Sequence, residues 1–129
     1  MENIIKKCSY TFTNNVTVVN CTGHPVCFLD HDNEITIPCD PSMVIETILE
    51  EVEVPDTVYI MQVRKLLESS EDLIDEIWEL LSDNEEVVII GSKEASLAAP
   101  MQVFCARQIE GSELMTPEKF DTYYTPDLC

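Results

Sequence analysis

The stretch Ser69-Ser70-Glu71-Asp72-Leu73-Ile74-Asp75-Glu76-Ile77-Trp78-Glu79-Leu80-Leu81-Ser82, followed closely by Glu86-Val87-Val88-Ile89-Ile90-Gly91, decides the fold. Leu73, Ile74, Ile77, Trp78, Leu80 and Leu81 recur at the three- and four-residue spacing of one helix face, and Glu71, Asp72, Asp75, Glu76, Glu79 and Asp83 turn mostly to the other. Hydroxyls at Ser69 and Ser70 and the early acids suit a helix start, so one main helix is predicted over about 70–82. Glu86 to Ile90 is a short, continuous apolar run that reads as a buried strand, closed by Gly91. Thr57 to Met61 is a second apolar strand on the other side of the helix. Strand, helix and strand within about thirty-five residues predict a right-handed parallel crossover.

Upstream, Val16 to Cys21, Pro25 to Asp30 and Glu34 to Pro38 are short β-branched or apolar runs. They are separated by the turn-forming sets Thr22-Gly23-His24 and His31-Asp32-Asn33, which predicts a β-meander. Met43 to Val54 alternates in part and reads as a further strand, although Ile45 and Leu49 leave a helix open; Pro55-Asp56 ends it in either case. Residues 1–15 form an N-terminal arm that either joins the sheet or does not. Met101 to Ile109 returns as a last strand, and 111–129 is a tail with one helical turn near Pro117-Glu118-Lys119-Phe120. The expected fold is thus a single mixed α/β, or α+β, domain over 16–110: an N-terminal meander, then the crossover, in one sheet with one main helix.

Twenty-five acidic residues against seven basic ones leave a formal net charge of -18 over 129 residues. Such a field repels nucleic acid and anionic membrane, and Lys6, Lys7, Arg64, Lys65, Lys93, Arg107 and Lys119 are too scattered for a phosphate-tracking face. Direct DNA binding is disfavoured. No apolar run reaches the roughly 18 residues of a membrane span, and Met1-Glu2-Asn3 opens no secretory signal. The expectation is a cytoplasmic protein whose six cysteines remain free thiols.

At Asn20-Cys21-Thr22-Gly23-His24-Pro25-Val26 the chain resembles a family of small phage, prophage and actinobacterial proteins that carry Asn-Leu-Thr-Pro-His-Pro-Val between a first and a second strand. Thr57-Val58-Tyr59-Ile60-Met61, Glu86-Val87-Val88-Ile89-Ile90-Gly91 and Cys105-Ala106-Arg107 are similar to later strand blocks of that family. Cys21 and Gly23 replace its leucine and proline, and the acidic helix around Trp78 is an elaboration. The resemblance implies a phage-encoded accessory protein in the host cytoplasm that counters defence, either by sequestering a nucleotide-derived immune signal or by occupying a host protein.

Asn20, Thr22 and His24 fall in one turn, where amide, hydroxyl and imidazole either converge on a ligand or cap the turn against its own backbone. Ser92 and Lys93 follow the strand ending at Ile90, at the end where open α/β sheets bind ligands, but a single glycine at Gly91 is no phosphate-binding fingerprint. Arg64, Lys93 and Arg107 are the cations an anionic ligand would need. Cys21, Cys27 and Cys39 with His24 and His31 lack a close cysteine pair, so no metal and no cofactor are expected. No nucleophile and base are paired, so the chain reads as a binder and not an enzyme. The leading expectation is sequestration of a small anionic or nucleotide-like ligand near the 22–24 turn, with a homo-oligomeric pocket left open. The competing one is an inhibitor or nucleic-acid mimic whose acidic helix occupies a basic host protein.

Overall fold

A computed structural model describes residues 2–13, 15–30, 33–83, 86–99 and 102–104, with the side chains of Leu29, Asp30 and Glu34 outside that description. The order along the chain is α1 (Glu2–Lys7), β1 (Ser9–Thr11), β2 (Val16–Asn20), β3 (Val26–Asp30), β4 (Asn33–Ile37) and a 3-10 turn (Pro41–Met43). It continues through β5 (Thr47–Glu53), β6 (Ile60–Leu66), α2 (Glu68–Leu80), β7 (Glu86–Ile90) and α3 (Lys93–Ala98). The content is mixed α+β with one main helix.

β2 is the centre of the molecule. All five of its residues are buried, so it must be covered on both faces and flanked on both edges. It pairs antiparallel with β1 on one side and parallel with β7 on the other, in a register that sets Val16 opposite Glu86 and Asn20 opposite Ile90. Phe104 adds a parallel bridge beyond Ile90, held by the Gly91 amide on the Phe104 carbonyl and the Phe104 amide on the Ile89 carbonyl, both at 2.8 Å. The N-terminal arm therefore joins the sheet, with Ile5, Cys8 and Phe12 buried.

The predicted meander is corrected. Among the described residues, β2 does not pair with β3; β3 and β4 form their own hairpin, and β5 and β6 another, so there are three separate sheets where one was expected. β2 takes the interior position and is buried along its whole length, whereas β3 and β4 satisfy their backbones with each other. The expected crossover partner also changes. β6 starts at Ile60, not Thr57, and returns along β5; the strand parallel to β7 is β2, far upstream. Met43 to Val54 resolves as a strand over Thr47–Glu53.

Alternation on the central sheet separates two cores. Val19, Val87 and Ile89 face α2, where Leu73, Ile74, Ile77 and Leu81 pack with Ile5, Met43, Ile45, Ala95 and Val103. Val16, Val18, Val88 and Ile90 face the β3–β4 hairpin and pack with Phe12, Val26, Phe28 and Ile37. Edge-to-face rings fasten this second core, with Tyr10 and Phe12 centroids 5.0 Å apart and Phe12 and Phe28 5.5 Å apart. Burying a side chain such as Ile77 contributes about 1.5–3 kcal/mol.

Two features of α2 differ from expectation. It starts at Glu68, and Leu67 at its N-cap makes no side-chain hydrogen bond; the Ser70 hydroxyl, assigned to capping, instead accepts the Glu46 amide at 2.8 Å and ties the start of β5 to the helix. Trp78, assigned to the core, is 43% exposed. No helix among the described residues is long and apolar enough to cross a membrane.

Candidate functional site

The turn after β2 is organised by Asn20, whose side chain is wholly buried. Its amide nitrogen donates toward the carbonyls of His24 (2.9 Å), Ile37 (3.0 Å) and Pro38 (3.2 Å). Its oxygen accepts the Thr22 amide at 3.0 Å and lies 2.6 Å from the Thr22 hydroxyl. Two N–H groups and one carbonyl oxygen have no remaining capacity, so Asn20 fastens the turn to the end of β4. Thr22 Oγ1 also lies 2.9 Å from the His24 carbonyl and accepts the His24 amide at 3.3 Å. Of the two alternatives for this turn, the geometry favours self-capping for Asn20 and Thr22. His24 remains exposed, with Nδ1 3.1 Å from the Pro25 carbonyl.

Gly23 adopts φ +93, which β-carbon-bearing residues rarely reach and which proline, locked near −65°, cannot. The turn thus has a conformation that a proline at this position would forbid, in keeping with the departure from the phage-type motif.

The loop after β7 starts beside Cys21. Gly91 is confined: a β-carbon there would sit 2.9 Å from Val103 Cγ1 and 3.9 Å from the Cys21 carbonyl, so Cys21 and Gly91 lie side by side at the carboxyl end of the parallel β2–β7 pair. Ser92 caps α3 by accepting the Ala95 amide at 3.1 Å, and Lys93 is exposed. Arg64 is elsewhere, on β6, where it donates to the Thr47 hydroxyl at 2.9 Å. Arg107 and His31 lie outside the described residues.

Burial pushes the Cys21 thiol up to about 12, with the nearby Cys8 thiol adding to the rise, and burial likewise raises Cys8. Both stay protonated at neutral pH and are poor metal ligands or nucleophiles. Among the described residues no group of histidine, cysteine or carboxylate side chains is arranged to hold a metal.

The acidic helix presents a different arrangement. Glu68, Glu71, Asp72, Asp75, Glu76, Glu79 and Asp83 are all exposed, and the ion pairs among the described residues, Lys6–Glu2 and Lys65–Glu50, involve none of them. At 100° per residue Trp78 falls at the edge of the apolar arc, in the stripe that carries Asp75 three residues before it and Glu71 seven before. Opposite that edge, Glu76, Glu79 and Leu80 meet Glu2 and Ile5 of α1 around a cleft of about 390 Å³. Trp78 is the surface residue missed by sequence reasoning; its angular distance from Ile77 was the available signal. Comparison with protein-family models, with curated proteins and with solved structures finds no match to this chain.

Proposed function

We propose that this chain is a protein-binding module that occupies a basic surface of a partner, with the Trp78 edge of α2 as its anchor. The observation that carries the reading is a large aromatic side chain, 43% exposed, in a field of carboxylates that no described cation neutralises. Aromatic anchors ringed by charge are the usual energetic centres of interfaces, and unpaired carboxylates steer cationic partners at long range. The resemblance at Asn20 to Val26 implies a protein that counters host defence, either by sequestering a nucleotide-derived signal or by occupying a host protein, and the exposed Trp78 edge favours the second. Binding, not catalysis, is the activity.

Trp78→Ala is expected to weaken such a complex by about thirtyfold or more, because hot-spot truncations cost about 2 kcal/mol and upward. Glu71→Lys with Asp75→Lys should remove most of the salt dependence of association. Both changes leave the buried face of α2 intact, so circular dichroism should still show the folded helix, with a modest loss of melting temperature from the reversed charge in its first turn and the truncated ring. Retained affinity and an unchanged salt slope in these variants would refute the assignment.

A second reading is sequestration of a small anionic ligand at the carboxyl end of the β2–β7 pair, where Cys21 and Gly91 lie side by side. The start of two loops at the carboxyl end of two parallel strands favours it, and His24 and Lys93 are the exposed imidazole and ammonium that follow those strands in sequence. It predicts that native mass spectrometry after exposure to a bacterial extract detects a small molecule released intact on denaturation, and that His24→Ala or Lys93→Ala abolishes its retention. Retention unchanged in both variants excludes this site.

A further inference from the structure

The β5–β6 hairpin is built unlike the rest of the chain. Six of the seven residues of β5 are exposed, and among the described residues no strand but β6 pairs with it. Isolated two-stranded ribbons are marginal in water, yet this one is well braced. Seven register pairs run from Thr47↔Leu66 to Glu53↔Ile60. The tip is closed by the Val54 amide on the Tyr59 carbonyl (3.0 Å), the Thr57 amide and hydroxyl on the Val54 carbonyl (3.2 and 2.9 Å) and the Tyr59 amide on Thr57 Oγ1 (3.2 Å). Around this rigid frame Ile48, Leu49, Ile60 and Met61 are exposed, as are Val58 at 94% and Tyr59 at 71%. A preorganised ribbon that leaves such side chains in water has more apolar surface than its own folding uses.

The backbone register says which edge is open. In an antiparallel pair alternate residues turn their amides inward. The Glu46 carbonyl accepts from Leu67 and the Val54 amide donates to Tyr59, so Ile48, Glu50 and Val52 share the inward phase, and Thr47, Leu49, Glu51 and Glu53 turn their N–H and C=O groups away from β6. Charge then selects what can add there. Glu50 is paired with Lys65 at 2.9 Å, but Glu51 and Glu53 have no described ion-pair partner. A second copy of this chain, at net charge -18, would bring like charges onto that edge, whereas a strand bearing lysine or arginine would neutralise it.

We infer that the outer edge of β5 accepts an extended basic segment of a protein partner by strand addition, with apolar side chains of that segment packing beside Ile48 and Val52 on one face and its basic side chains beside Glu51 and Glu53 on the other. The inference rests on the reading of the chain as a binder of basic protein surfaces and adds a second contact element to it, independent of α2.

The probe is a synthetic peptide of about eight residues alternating lysine and valine, the length that matches β5. Titrated into the full chain, it should slow amide hydrogen exchange at Leu49, Glu51 and Glu53 by tenfold or more, while Ile48, Glu50 and Val52, already bonded to β6, change little. The Glu51→Pro chain, which loses an outward N–H and no ladder bond, should bind it at least tenfold more weakly, and so should the wild-type chain offered a backbone N-methylated peptide. The N-methylated arm gives the answer even if the proline variant fails to fold. Three outcomes overturn the inference: no binding of the peptide, binding without slowed exchange at the outward residues, or slow exchange at those residues in the free chain, which would assign the edge to another segment of this protein. For a natural partner, loss with Glu51→Pro but not Trp78→Ala would fail the helix assignment alone, and the reverse result would fail the hairpin alone.

Discussion

Asn20→Ala is expected to lower the unfolding free energy by about 3–5 kcal/mol, because one buried carbonyl (Ile37) and two part-buried ones (His24 and Pro38) lose the Asn20 donor, at roughly 1–3 kcal/mol each, less partial relaxation and solvation. The side chain joins three segments that no ladder connects: the end of β2, the 22–24 turn, and the Ile37-Pro38 end of β4. Removing it frees the β3–β4 hairpin from the central sheet at one end. Urea denaturation should show a lower midpoint at similar slope. A loss below about 1 kcal/mol would mean that water replaces these bonds and that the turn is open to solvent after all.

Phe28→Ala is expected to cost about 3–5 kcal/mol by a different route. Phe28 is fully buried in the core that packs Val26, Phe28 and Ile37 of the hairpin on Val16, Val18, Val88 and Ile90 of the sheet, and its ring meets Phe12 edge to face. No ladder spans that interface among the described residues, so side-chain packing and the Asn20 amide hold it together. The two substitutions act on one joint, so their combined cost should depart from the sum of the single costs. An additive pair would mean that the hairpin is held in two independent places.

Much of the architecture was legible in the residues. The apolar face of α2 has the helical period and β7 is a short β-branched run of strand length, whereas Met43 to Val54 alternates only in part and leaves strand and helix both open. Pairing was not legible. β2 and β3 are separated by a turn that looks like a hairpin connection, and Val26-Cys27-Phe28-Leu29 is as apolar as Val16-Thr17-Val18-Val19, so composition does not say which strand lies beside β7. Parallel pairing between residues some seventy apart leaves no local mark.

The candidate sites divide the same way. Asn20, Thr22 and His24 are joined by hydrogen bonds in one turn, but whether a buried amide faces a ligand or its own backbone depends on where Ile37 and Pro38 arrive. Trp78 falls in the apolar spacing of α2, four residues after Ile74 and three before Leu81. Only the packing of α2 against the sheet and α1 fixes how wide its buried arc is, and that arc stops short of Trp78.

The most direct test of the central claim compares immobilised wild-type chain with two variants in a bacterial extract: Trp78→Ala with Glu71→Lys and Asp75→Lys, and His24→Ala with Lys93→Ala. The account predicts that a basic protein captured by the wild type at low salt is retained by the second variant and lost with the first. Retention by the first variant and loss with the second would contradict it and move the binding site to the carboxyl end of the β2–β7 pair.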